Sequence, residues 1–194
     1  MASALIVYAT REGQTEKIAQ RIATVLRARG HVAELLDVDH AGRRPDLGRF
    51  GAIVVGSPVR AQGYLRSIVR FARENRELLG RVPSAFFSVG LAVLSKKSDG
   101  RAQTLAIVDK FVERTGWRPQ HVELIAGALP YSKYNFLIRY VMRRISASEG
   151  GDTDTSRDYE YTDWKAVEAF ASDFIARAAG TPAIARPAAL ATSS

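Results

Sequence analysis

The chain has no cysteine, which excludes disulfides, thiolate nucleophiles, Cys-ligated zinc and iron–sulfur clusters. Histidine is almost as scarce. His31, His40 and His121 are scattered without metal-ligand spacing, so no metal is expected. No run of eighteen apolar residues occurs, and nothing is expected to span a bilayer. The apolar run from Ala4 is too short for a secretory signal, lacks basic residues before it and reads as a strand. Together these absences point to the cytoplasm. Acids are also in deficit: 20 Asp and Glu against 28 Lys and Arg leave a net charge of +8. Such a balance favours anionic partners, whether nucleic acid, a membrane surface or an acidic small molecule. No recognition-helix or RNP-type pattern accompanies the charge, so nucleic acid is not expected.

What is present is ordinary globular composition, 46% hydrophobic over 194 residues, enough for one domain with a core. Ala4–Ala9 is a short apolar run that reads as a strand. Glu16–Arg29 repeats apolar residues at helical spacing (Ile18, Ala19, Ile22, Val25, Leu26), and Gly30 is placed to end that helix. His31–Asp37 is a second strand and Phe50–Gly56 a third, the latter continuously apolar as a strand covered on both faces would be. Leu65 to Leu79 reads as a helix, Ser84–Val89 as a fourth strand, Thr104–Arg114 as a helix stopped by Gly116, and Val122–Leu129 as a fifth strand. Strands alternating with helices predict a doubly wound α/β parallel sheet.

Loops follow the carboxyl ends of three strands: Thr10–Thr15, Ser57–Tyr64 and Gly90–Gly100, the last entered through Ser88 and Val89. In such sheets ligands bind beyond the carboxyl ends, at the switch in strand order. Thr10-Arg11-Glu12-Gly13-Gln14-Thr15 carries two hydroxyls and one glycine into a helix N-terminus, where unpaired N–H groups and the macrodipole favour an anion. Taken by itself, the stretch is equally an ordinary strand–turn–helix connection. Three loops converging on one crevice favour the phosphate reading.

A strand ending in Thr-x-x-Gly-x-Thr, with loops after the third and fourth strands, resembles the flavodoxins, and that resemblance implies strand order 2-1-3-4-5. Tyr8–Thr15, Pro83–Phe86, Ile125–Leu129, Gly150–Thr155 and Tyr161-Thr162-Asp163-Trp164 are similar to the menaquinone-dependent protoporphyrinogen oxidase family, over about Leu5 to Ala178. The resemblance implies FMN as cofactor and protoporphyrinogen IX as substrate in heme biosynthesis, with menaquinone as acceptor. It places the FMN phosphate on Thr10, Arg11, Glu12, Gly13, Gln14 and Thr15. Ser57, Pro58, Val59 and Arg60 would flank the isoalloxazine on one side, and Ser88, Val89, Gly90 and Leu91 on the other. A flavodoxin-type electron carrier, or another FMN-dependent quinone reductase, is the alternative. Soluble carriers of this class are typically acidic, and +8 argues against that role.

No side chain presents itself as a necessary acid or base. Arg60 is the candidate for a polar role, since guanidinium pairs bidentately with a carboxylate such as a substrate propionate; it is equally a solvated loop arginine. Tyr64 either packs beside the flavin or begins the next helix. Glu12 would repel a phosphate and is expected to point outward. Ala61 stands where an aromatic often covers the flavin ring. After the fifth strand, residues 130–160 form an insertion. Within it, residues 131–145 read as an amphipathic helix with Lys133, Arg139, Arg143 and Arg144 and no acid. This helix suits either the sheet edge or an anionic membrane surface, the latter making the protein peripheral on the cytoplasmic face. Asp163 is expected to cap the last helix. Residues 1–180 form the domain, and residues 181–194 are expected to be a disordered tail.

Overall fold

Alternation along the first strand decides the layering of the molecule. In β1 (Ser3–Tyr8), Ala4, Ile6 and Tyr8 point to one side and Leu5 and Val7 to the other, and all are buried. Both sides must therefore be covered. A computed structural model, describing residues 2–42, 45–94, 100–129 and 158–180, shows how.

β1 lies between β2 (Val32–Asp37) and β3 (Ala52–Arg60); β5 (Ser84–Gly90) and β6 (His121–Ala126) follow, all parallel. The spatial order β2-β1-β3-β5-β6 equals the expected 2-1-3-4-5 once the short β4 (Gly63–Tyr64), hydrogen-bonded to β3 alone, is set aside. On one face lie α1 (Gln14–Ala28) and α5 (Trp164–Gly180), and on the other α2 (Arg66–Glu74), α3 (Arg76–Arg81) and α4 (Gly100–Thr115). The first core gathers Ile18, Ile22 and Leu26 of α1 with Val167, Phe170 and Phe174 of α5. Ile18, Ile22 and Leu26 are fully buried, each contributing about 2 kcal/mol in transfer terms. The second core is aromatic: Phe86, Phe111, Trp117 and Tyr64 meet in stacked and edge-on pairs. The two helix stops are as expected, with Gly30 and Gly116 both at positive φ after α1 and α4. Asp163 caps α5, accepting from the Ala166 amide at 3.1 Å.

Several elements differ from the sequence-based expectation. The third strand does not stop at Gly56. It continues through Ser57, Pro58, Val59 and Arg60 and turns back as an antiparallel hairpin, Val59 opposite Tyr64 and Arg60 opposite Gly63. Ala61 and Gln62 form its two-residue turn, both at positive φ (46° and 57°), the twist that suits such hairpins. The helix expected from Leu65 to Leu79 is two helices broken at Asn75, whose Nδ2 donates to the Phe71 carbonyl at 2.8 Å. The fifth strand is interrupted at Gly127; β7 (Ala128–Leu129) leaves the main sheet and pairs antiparallel with β8 (Tyr159–Glu160). α1 begins at Gln14 rather than Glu16, and α4 at Gly100 rather than Thr104. The helix expected over 131–145, the Gly150–Thr155 turn and the tail from 181 lie outside the described residues.

Candidate functional site

Register carries three chain segments to one sheet edge. Tyr8 pairs with Gly56, and Ser57 with Ser88, so the β1, β3 and β5 exits stand side by side. At their centre Gly56 is obligatory: a Cβ there would lie 1.9 Å from Cζ of Phe87, whose ring fills that space. Ser57 and Ser88 are fully buried. Ser57 Oγ accepts from the Leu65 amide at 3.3 Å, and Ser88 Oγ accepts from the Tyr64 hydroxyl at 2.9 Å. These two serines therefore fasten the base of the hairpin to the sheet.

In the first loop, Thr10 Oγ1 accepts from the Gly13 amide at 3.0 Å, closing a tight turn. Its proton stays available for donation to a ligand. Gly13 is the N-cap of α1 at φ 99°, and no side chain caps the helix. A left-handed glycine before this helix start leaves its first-turn N–H groups without a side-chain acceptor. Arg11 is exposed, and Gln14 and Thr15 are buried. Glu12 does not simply point outward: its carboxylate accepts from Arg60 Nη1 at 2.6 Å, with side chains 23% and 53% exposed. The acid that would repel a phosphate is thus paired with a cation from the hairpin.

Tyr64 does not begin the next helix: it ends β4, and α2 starts at Arg66. Its ring packs edge-on against Phe86 and Phe111 beneath the hairpin, and burial pushes its phenol up to about 12 despite the hydrogen bond to Ser88. Tyr8, at the end of β1, is also pushed up to about 12, by burial first and then by the charges of Glu16 and Asp37. Beside it a groove of about 690 Å³ runs over the ends of β1 and β2, lined by Asp37, His40, Asp46 and Arg49 among others. Among the described residues its lining carries the carboxylates of Glu34, Asp37 and Asp46 beside Arg49 and His40. Of the third set, Val89 is buried and Gly90 and Leu91 are half-buried; Gly90 ends β5. The Gly90 carbonyl accepts from the Gly127 amide at 3.3 Å, and the Gly127 carbonyl from the Tyr161 amide at 3.1 Å. Among the described residues no group of three His, Asp or Glu side chains could hold a metal.

One contact went unread in the sequence. Gln14 Nε2 donates to Thr162 Oγ1 at 2.8 Å, and Thr162 Oγ1 donates to the Ala126 carbonyl at 2.8 Å. The Tyr161–Trp164 stretch thus meets the first loop directly, across 148 positions. A glutamine opening a buried helix start signals the need for a polar partner, although nothing local says which.

The Flavodoxin domain family matches residues 5–156 of this chain. The chain belongs to the flavodoxin-domain family. Within it, the chain is similar to the curated "Protoporphyrinogen IX dehydrogenase [quinone]" of Escherichia coli (strain K12), at 35% identity over 87% of this chain and 92% of that protein. It is likewise similar to the protein of the same name from Leishmania major, at 33% identity over 92% of this chain and 77% of that protein. At this identity and coverage the chain is, like these relatives, an oxidoreductase. Among solved structures, oxidised Flavodoxin 1 from Bacillus cereus shares the flavodoxin fold, with a TM-score of 0.55 and 14% identity over 90% of this chain and 98% of that one.

Proposed function

We propose that this flavodoxin-domain enzyme binds FMN and oxidises protoporphyrinogen IX to protoporphyrin IX, in heme biosynthesis, with menaquinone as acceptor. The observation carrying this reading is the crevice itself: an uncapped α1 N-terminus with left-handed Gly13 beside two further strand exits. The residues present fit the cofactor. The amides of α1 and the hydroxyls of Thr10 and Thr15 suit a phosphate, and the Glu12 carboxylate of this loop is paired with Arg60.

When bound, FMN supplies the two-electron redox chemistry. The protein's part is to hold and orient. Thr10–Thr15 grip the phosphate, the β3–β4 hairpin (Ser57–Arg60) stands on one side of the ring site and Ser88–Leu91 on the other. Arg60, more than half exposed, offers its guanidinium to a substrate propionate while still linked to Glu12. Small Ala61 and exposed Gln62 at the hairpin tip leave room for a flat, bulky substrate.

No helix among the described residues is long and apolar enough to cross a membrane. The basic 131–145 stretch then gives contact with an anionic membrane surface on the cytoplasmic side, where a lipid-soluble quinone is found. Charge reversal at Arg139, Arg143 and Arg144 should reduce liposome binding; unchanged binding would remove the membrane from the account.

The reaction is tested anaerobically with FMN-loaded protein, protoporphyrinogen and a menaquinone analogue. Turnover requiring both substrates is expected. Turnover with neither, accompanied by rapid one-electron exchange with a reductase, would make the protein a carrier instead.

A further inference from the structure

We propose that Thr162 is a positioning residue whose hydroxyl, acting through Gln14, fixes the first turn of α1 and thereby sets how tightly that turn grips a phosphate. This rests on the reading that the turn holds the FMN phosphate.

Gln14 is the first residue of α1 and only 9% exposed. A side-chain amide there could serve a ligand in the crevice, but its Nε2 is committed inward, to Thr162 Oγ1 at 2.8 Å. A threonine hydroxyl has one proton to give. Thr162 gives it to the Ala126 carbonyl at 2.8 Å, so towards Gln14 it must accept. That dictates the orientation of the Gln14 amide, with its nitrogen facing Thr162.

The relay ends on a rigid anchor. Ala126 is the last residue of β6 and pairs with Gly90 of β5, itself one of the residues facing the cofactor site. The Gly127 and Tyr161 amides extend the same ladder outward. A Cβ at Gly127 would meet Val89 Cγ1 at 3.2 Å, so the residue after β6 lies close against the end of β5. Two strand exits of the crevice, β1 through α1 and β5 through β6, are thus joined by three groups in series.

Further contacts continue down the same face of α1. Lys17 pairs with Glu160 at 3.1 Å, and Arg21 with Glu168 at 3.2 Å. Trp164 Nε1 donates to Glu160 at 2.8 Å. Residues 14, 17 and 21 recur at helical spacing, so this is a single seam between α1 and the β8–α5 region. Its lower members are solvent-exposed ion pairs, which contribute little to position. Only the Gln14–Thr162–Ala126 end is withdrawn from water, and only there does a lost partner leave a poorly hydrated amide and carbonyl facing each other.

The test uses the full chain and FMN binding followed by quenching of flavin fluorescence. Thr162→Val keeps the volume and removes both hydrogen bonds, whereas Thr162→Ser keeps the hydroxyl. Thr162→Val should bind FMN about tenfold more weakly and Thr162→Ser within about twofold of the parent. Gln14→Leu should match Thr162→Val, and the double variant should lose no more than about another twofold, because both changes break the same relay. Circular dichroism checks that each variant is folded.

Hydrogen exchange on the ligand-free chain supplies a readout independent of flavin. The amides of residues 14–17 should exchange faster in Thr162→Val but not in Thr162→Ser. Unaltered FMN affinity in Thr162→Val, or equal losses in the two variants, would overturn the proposal. Should the parent bind no FMN, the flavin reading fails by itself. Exchange rates at 14–17 then decide the positioning role, and identical rates in the two variants would end it.

Discussion

On one side of the crevice the start of α1 is held by Gln14, Thr162 and the end of β6, largely out of water. On the other side the β3–β4 hairpin is fastened at its base by Ser57 and Ser88, and its tip reaches the first loop through Arg60 and Glu12 at the surface. The two arms do different work with different physics. Buried neutral hydrogen bonds are expensive to break and fix geometry. A surface ion pair is worth little in stability and exchanges partners readily. A phosphate grip needs the former. If the hairpin admits a large substrate and offers it a charge, the latter serves it better.

The largest expected effect lies beneath both arms. Gly56→Ala places a methyl within the Phe87 ring and should cost about 3 kcal/mol, read as a lower denaturant midpoint with cofactor binding lost in proportion to unfolding. A loss of binding with no loss of stability would mean that Gly56 faces the ligand rather than the core.

Next comes the α1 arm by itself. Gly13→Ala forces a side chain onto φ 99° and should cost about 1–2 kcal/mol of stability, together with about tenfold in FMN affinity. If stability fell and affinity did not, the turn would not be the grip.

The hairpin base is probed by pH. The folded-state pKa of Tyr64 lies above its ordinary value of 10.0, at about 12. The unfolded chain therefore ionises first as pH rises. Stability from this group is fully present below pH 10 and is lost as pH climbs from 10 to 12. Tyr8 acts in the same direction over the same range. Denaturant midpoints at pH 9 and pH 11 should differ less in Tyr64→Phe than in the parent; an equal difference would contradict the burial described for this ring.

The smallest stability change belongs to the hairpin tip. Arg60→Ala should alter stability by less than about 0.5 kcal/mol, yet weaken FMN binding a few-fold because Glu12 is left facing the phosphate. Adding Glu12→Gln should restore affinity. If it does not, Arg60 contacts the cofactor directly and the two arms are more alike than described.

The same contrast explains what could be read from the chain. Strand–helix alternation, Gly13, Gly30, Gly116 and the Asp163 cap act locally, within a few residues; the three strand exits follow from the alternation, whereas the sheet order follows from the resemblance alone. The hairpin was hidden because Ala61-Gln62 is not an Asn-Gly or Asp-Gly signal, and because Ser57-Pro58 looks like a turn. The break at Asn75 is decided by one side chain choosing the Phe71 carbonyl. Arg60 and Glu12 are 48 positions apart, and although an acid inside an anion loop calls for a cation, nothing local says which residue supplies it. Gln14 at a buried helix start calls for a polar partner, but that the partner is Thr162 depends on where the chain returns after β7.

Whether α1 grips a phosphate is tested most directly by comparing FMN with riboflavin, which carries the same ring without that group. Fluorescence titration of the purified chain should show FMN binding at least about 100-fold more tightly. Equal affinities, or no affinity for either flavin, would mean that α1 holds no flavin phosphate.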